Sequence, residues 1–249
     1  MLPEIQSIDI AALYNEQFAV IPAATPELQD QAYALRYQVY CVEHPFEDPA
    51  QQTNEREMDR YDSHSVHAIL LHKPSSAVVG CVRLVLPTAS EGVSALPLRQ
   101  LLNDEGRRRL DQCPPDRIGE ISRYAVSKMF RRRQGEALYA DVGFFDLSDR
   151  DSRRLVPHIS LGLMQGAGKL AASHGITHVC AAMAPALMRL LERFGLSFEP
   201  LGPPIDYHGL RQPCIAECEQ LLAGMEKRNP GYYRLVDAAY HGETASSQG

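Results

Sequence analysis

Arg83 stands in the middle of the apolar run VVGCVRLVLP (78–87), and Arg123 stands in a second strand-like run, EISRYAVS (120–127). Runs of this composition ask for burial as strands. A lone guanidinium cannot follow them inside, because losing its water is too costly without a partner. Any fold for this chain must therefore deliver carboxylates to the middle of a sheet. The candidates are Glu57, Asp59 and Asp62 in the polar stretch QQTNEREMDRYDSHS (51–65), and Glu120 in the second run itself. One outcome is an ion-pair cluster that only fixes the fold. Another is a polar pocket in the sheet that receives a polar substrate, and the two are compatible. In a flat strand Glu120 and Arg123 face opposite sides, so bringing them together requires a β-bulge.

Other elements can be placed around these two. QFAVIPA (17–23) reads as a short strand. Thr25 can cap a helix that Pro26 opens, with Leu28, Ala32, Leu35, Val39 and Val42 at helical spacing and Arg36, Tyr40 and Glu43 on another face. VHAILLH (66–72) and 78–87 form a hairpin across KPSSA. LPLRQLLNDEGRRRL holds a loop and a short helix. A long helix is expected to open at Pro157 and stop at Gly175, followed by a strand at THVCAAM and a helix ended by Gly195. LSFEPLGPPIDYHGLRQPCIAE reads as two strands around a Gly-Pro loop. Hairpins together with a strand–helix–strand crossover predict a mixed sheet of the α/β (α+β) class.

The length of 249 residues suits one domain over 1–240, with 241–249 as a flexible tail. A net charge of −6 argues against bulk nucleic-acid binding. The positive charge is clumped at Arg107-Arg108-Arg109, Arg131-Arg132-Arg133 and Arg153-Arg154. Such clumps are either solvated ends or sites for a phosphate or an acidic protein face. The six cysteines make no Cys-x-x-Cys pair and the histidines no His-x-x-x-His pair, so no metal is expected. With no leader pattern and no long apolar run, the chain is expected to be cytoplasmic, reduced and without a transmembrane segment.

Two motifs favour bland readings. GAGK (166–169) lacks the first Gly and the final Ser or Thr of a phosphate loop, so its glycines are expected to permit close packing. Cys180 lies in an apolar strand and reads as core rather than as a nucleophile. Val82, Leu84 and Leu86 are core by the same argument, with the lining of an acyl tunnel as the alternative.

The ordered series Arg36-x3-Tyr40, Asp59-x2-Asp62, Arg83 in a strand and Glu120-x2-Arg123 resembles the acyl-homoserine-lactone synthases. The phrases LRYQVYCVEHPFE, EISRYAVSKMFRRR, PHISLGLMQGAGK and IDYHGLRQPC are similar to the PEP-CTERM/exosortase system-associated acyltransferases, which are relatives of those synthases and of N-acyl amino acid synthases. The resemblance spans roughly residues 17 to 235. It implies a GNAT fold, a splayed mixed sheet with helices on both faces. It implies a thioester donor held in a V between two central parallel strands, here 119–127 and 177–183. The donor arm would pair with the first strand, and a backbone N–H near Ala125 or Val126 would polarise the thioester carbonyl. Glu120 would be the base for the attacking amine, with Tyr124 an optional proton donor. Arg36, Tyr40, Asp59, Asp62, Arg83 and Arg123, with Tyr207 and His208, would bind the acceptor.

An ordinary GNAT runs a Gly-rich turn directly into the next helix, where backbone amides bind the CoA pyrophosphate. RRRQGEALYA has one glycine, and Pro157 lies far beyond it. This favours acyl carrier protein over CoA as donor, with Arg131, Arg132 and Arg133 meeting its phosphate or acidic face. Phe46 stands where the synthases commonly carry a Trp, so S-adenosylmethionine is not carried over. An amino acid or similar amine is the expected acceptor. The alternatives are a non-catalytic module that binds an acyl carrier or lipid-like ligand, and an acetyl-CoA N-acetyltransferase.

Overall fold

The structure is a computed structural model, and it describes residues 10–128 and 152–241. Strands β1 (Phe18–Pro22), β2 (Ser65–His72), β3 (Ala77–Val85), β4 (Ile118–Val126), β5 (His178–Met183), β6 (Glu199–Pro200), β7 (Ile205–Asp206) and β8 (Leu210–Glu217) are accompanied, among the described residues, by eight α-helices. These are α1 (Ile10–Gln17), α2 (Pro26–Tyr37), α3 (Leu98–Leu101), α4 (Asp104–Leu110), α5 (Ser152–Ser173), α6 (Pro185–Arg193), α7 (Cys218–Arg228) and α8 (Pro230–His241). The sheet order is β1-β2-β3-β4-β5-β8-β6, with β7 paired to the start of β8. The pairings are antiparallel apart from β4 with β5, which run parallel. The sheet is thus mixed, as the sequence predicts.

Strand alternation sorts side chains onto two faces. On one face Ile69 and Cys81 pack with Ala32, Leu35 and Val39 from α2 and the turn after it. On the other, Ala68, Leu70, Val82 and Leu84 pack against Ile159, Leu163 and Ala167 of α5. Val82 and Leu84 are therefore core rather than tunnel wall. The glycines of α5 do allow close approach. A Cβ on Gly162 would stand 2.5 Å from a Leu70 methyl, and one on Gly166 would stand 3.2 Å from the Ala68 methyl. A third cluster, which includes Leu98, Leu102, Leu110, Ile118 and Cys180, holds α3 and α4 over the β4–β5 end of the α2 face.

Three local expectations need correction. The long helix opens at Ser152, so Pro157 lies inside it rather than at its start. At the sixth helical position the proline costs one ladder hydrogen bond, the one an N–H there would give to the Arg153 carbonyl. The stretch expected to make two strands makes the two-residue β6 and β7 and the long β8. The α2 region does not continue as one α-helix. It passes into a π-helical turn over Gln38–Glu43, a form that concentrates at functional sites. Thr25 caps α2 as expected, accepting from the Leu28 N–H. The tail 242–249 and Arg131, Arg132 and Arg133 lie outside the described residues.

Candidate active site

The parallel strands β4 and β5 pair over three residues, Ile118, Gly119 and Glu120 opposite His178, Val179 and Cys180. Beyond Glu120 they separate, and a cavity of about 350 Å³ opens between them. Glu120 to Val126 line one wall and Ala181 to Ala184 line the other. This is the splay that the resemblance implies.

A bulge shapes the β4 wall. Cys81 pairs with Ala125, but Arg83 pairs with Ser122, so β4 carries one extra residue there. Arg123 takes up the slack at φ 48°, a left-handed conformation that is costly for a side chain with a Cβ. The result puts consecutive residues on one face. Ser122 and Arg123 both point to the α2 side, while Tyr124 turns to pack with the α5 core. The bulge thus moves Arg123 to the face of Glu120, as anticipated, but the two form no ion pair. Glu120 Oε2 instead accepts the Leu98 N–H at 2.6 Å. Glu120 is therefore not a partner of the buried arginines.

Those partners are Glu57, Asp59, Asp62 and Glu47, the last not foreseen. Arg36 is fully buried and gives Nε to Glu57 at 2.5 Å, and Nη1 and Nη2 to Asp62 at 2.7 and 3.0 Å. Arg83 gives Nε to Ser122 Oγ at 3.0 Å and Nη1 to Asp59 and Asp62 at 2.7 and 3.0 Å. Arg123 gives Nε to Glu57, and Nη2 to Glu47, Glu57 and Asp59 at 2.8–3.1 Å. Its guanidinium lies over the Tyr40 ring, 5.3 Å from the centroid. Asp59 and Asp62 also form a reciprocal capping box over 60–64, which explains their spacing.

The electrostatics follow from this packing. Burial pushes the Glu57 carboxyl up, but the Arg123 and Arg36 hydrogen bonds and charges outweigh it and hold it at about 2. Asp62 is likewise held well below the usual range, burial being overcome by His67, Arg36 and Arg83. His67 is pushed down by burial despite Asp62, so its imidazole is neutral. Four carboxylates then face three guanidiniums, and the cluster keeps an excess negative charge. Glu120 behaves oppositely. Burial raises it to about 7, and the Leu98 N–H and the distant arginines offset only part of that rise.

Arg83, Arg123, Tyr40, Asp59, Tyr207 and His208 line the cavity together with Glu120, Tyr124, Ala125 and Val126. Arg36 and Asp62 are not on its wall. Arg36 has every nitrogen engaged within the cluster and is buried away from the cavity, so it holds the cluster rather than an acceptor. Arg83 Nη2 and Arg123 Nη1 have no hydrogen-bond partner among the described residues, and neither does Glu120 Oε1. At the rim His44 stacks on Phe46, whose ring centroid is 5.6 Å from that of His208. The cavity continues inward as an apolar channel under α5, α6, α7 and α8, reaching Gly168, Leu191, Leu222 and Val236. Sequence reasoning missed this wall because its residues carry the same amphipathic pattern as core.

Residues 35–140 match the acetyltransferase (GNAT) domain family. The fold is shared with solved structures at low identity. TofI, solved in a ternary complex with an inhibitor and MTA, aligns at TM-score 0.56 and 17% identity, over 87% of this chain and 99% of that one. The CoA-dependent acyl-homoserine lactone synthase BjaI, solved with SAM and isopentyl-CoA, aligns at 0.54 and 22%, over 90% and 89%. FeeM, an N-acyl amino acid synthase from uncultured soil microbes, aligns at 0.51 and 12%, over 84% and 94%. No curated protein sequence matches the chain. The matched segment carries β2–β4 and their ion cluster, and the solved structures share the fold around it. Among the described residues, no helix is long and apolar enough to cross a membrane.

Proposed function

We propose that the protein transfers an acyl chain from a thioester to the amine of a zwitterionic amino acid or similar small molecule. The observation that carries this reading is the cleft between β4 and β5, polar at the rim and apolar within. The excess negative charge of the ion cluster suits an ammonium, and the open Nη groups of Arg83 and Arg123 suit a carboxylate beside it. Glu120, through Oε1, takes the proton from the ammonium. The freed amine attacks the thioester carbonyl, whose oxygen gains charge next to the backbone amides at Ala125–Val126. Collapse expels the thiolate, a leaving group that needs little help, and the second amine proton passes to the sulfur, with Tyr124 the optional proton donor. Holding both reactants in one cleft supplies much of the rate.

The donor is acyl carrier protein. Support comes from the sequence after β4, which lacks the Gly-rich turn of CoA-binding relatives and carries Arg131, Arg132 and Arg133. A link to an exosortase sorting system rests on the shared phrases alone. The test incubates the protein with carrier protein loaded with a long acyl chain and pooled amino acids. Release of carrier thiol with an N-acyl product by mass spectrometry supports the reading. Binding of the carrier without thiol release identifies a non-catalytic module instead. Preference for acetyl-CoA identifies an acetyltransferase.

A further inference from the structure

Tyr240 on α8 borders two separate spaces. It lines the inner end of the apolar channel, beside Gly168 and Val236. It also lines an open pocket on the far side, with Asp116, Arg117, Ala172 and Thr177. Neighbouring residues of α5 divide the same way, with Ala171 inside the channel and Ala172 in the outer pocket. The Tyr240 hydroxyl donates to Ile176 O at 3.3 Å, which pins the ring across the gap between α5 and β5. Opposite it α5 has a glycine. A Cβ on Gly168 would stand 3.8 Å from a Val236 methyl and 3.9 Å from Tyr240 Cβ, in ordinary contact, so a side chain longer than a methyl there would fill this end of the channel. α8 is held in place by Gln165, whose Nε2 donates to Leu235 O, and by burial of Leu235 and Val236.

We propose that Tyr240 is the end wall of the acyl channel and sets the longest chain the protein accepts. The inference rests on the acyl-transfer reading above and adds the residue that fixes substrate length. Removing the ring joins the channel to the outer pocket, and a longer chain passes through. Filling the Gly168 position shortens the channel from the facing side.

The test measures Kd by calorimetry for straight-chain S-alkyl pantetheines from hexyl to octadecyl, which bind without reacting. In the wild type, affinity should rise by about fourfold per methylene and then stop at a cut-off. Tyr240→Ala should move the cut-off to longer chains, with a gain of roughly tenfold or more for chains past the wild-type limit. Tyr240→Phe, which keeps the ring, should keep the limit. Gly168→Leu should move it to shorter chains, and it decides the matter if Tyr240→Ala does not fold. A folded Tyr240→Ala with the wild-type cut-off overturns the proposal, as does an unmoved cut-off in Gly168→Leu. Turnover of acyl carrier protein is measured alongside. Turnover with an unmoved cut-off removes the end wall and leaves acyl transfer standing. A shifted cut-off without turnover does the reverse. A wild type that binds no chain removes both.

Discussion

The Leu98 backbone N–H donates to the buried Glu120 carboxylate at 2.6 Å, so the loop that carries α3 fixes the orientation of the one acid on the cavity wall that burial holds near neutrality. The bond occupies Oε2 and turns the carboxyl group so that Oε1 remains without a protein partner. A base with a pKa near 7 in a mostly dry site is well matched to an ammonium.

Glu120→Gln should therefore lower kcat by about 10²–10⁴ while leaving the donor Kd unchanged. In the wild type, log kcat/KM should climb with pH up to about 7 and level off, and the variant should lack that limb. Full activity in the variant removes Glu120 as base. Stability runs the other way. A carboxyl raised from 4.5 to about 7 stabilises the fold below pH 4.5 and loses that contribution as pH rises through 7. The loss is on the order of 3 kcal/mol. Urea unfolding at pH 5 and pH 8 should show the wild type losing more than Glu120→Gln.

Glu57 joins Arg36 to Arg123, and with Asp59 it lets two strand arginines and one helix arginine share a buried network. Glu57→Gln should cost about 3–5 kcal/mol, because it leaves buried guanidinium charge without its partner. The pH dependence is opposite to that of Glu120. The stabilisation from Glu57 is present above pH 4.5 and is lost as pH falls toward about 2. Melting curves across that window should be steeper in pH for the wild type than for the variant.

Ser122 Oγ accepts Arg83 Nε at 3.0 Å and aims a guanidinium whose other end is open to the cavity. Ser122→Ala should raise the acceptor KM by about fivefold and leave the donor KM unchanged. An equal change in both would place Arg83 outside acceptor binding.

Arg131→Glu combined with Arg132→Glu should greatly weaken binding of acyl carrier protein at low salt. Affinity should fall more steeply with rising salt in the wild type than in the variant, because screening weakens the arginine contacts that the variant lacks. Unchanged affinity at low salt removes the arginine run from donor binding.

Arg83 and Arg123 were legible as residues that demand partners because each interrupts an apolar strand. Glu57, Asp59 and Asp62 were legible because a polar loop was the nearest supply of acid. The bulge was expected as the device that would bring Glu120 to Arg123; it is present, but it delivers Arg123 to Glu57, Asp59 and Glu47 instead. The Glu120–Leu98 bond was not legible, since it depends on a backbone amide brought from a distant loop by packing of Leu98, Leu102 and Ile118. Glu47 was hidden for a similar reason: it reaches Arg123 only because the chain leaves the π-helical turn at that angle, with the Phe46 and Glu47 amides both bonded to Tyr40 O. The channel wall was hidden in plain helical periodicity. Gly168, Leu222 and Val236 look like any buried stripe until the strands above them part.

The short register between β4 and β5 has a mechanical consequence. With three residue pairs zipping them together, the half-sheets β1–β4 and β5–β8 lean on a narrow hinge. A molecule seated in the cleft acts as a strut between the halves. Amides of β5 and β8 should then exchange more slowly with solvent deuterium when a thioester arm is present, so that occupancy of the cleft registers as stiffness beyond the wall the ligand touches.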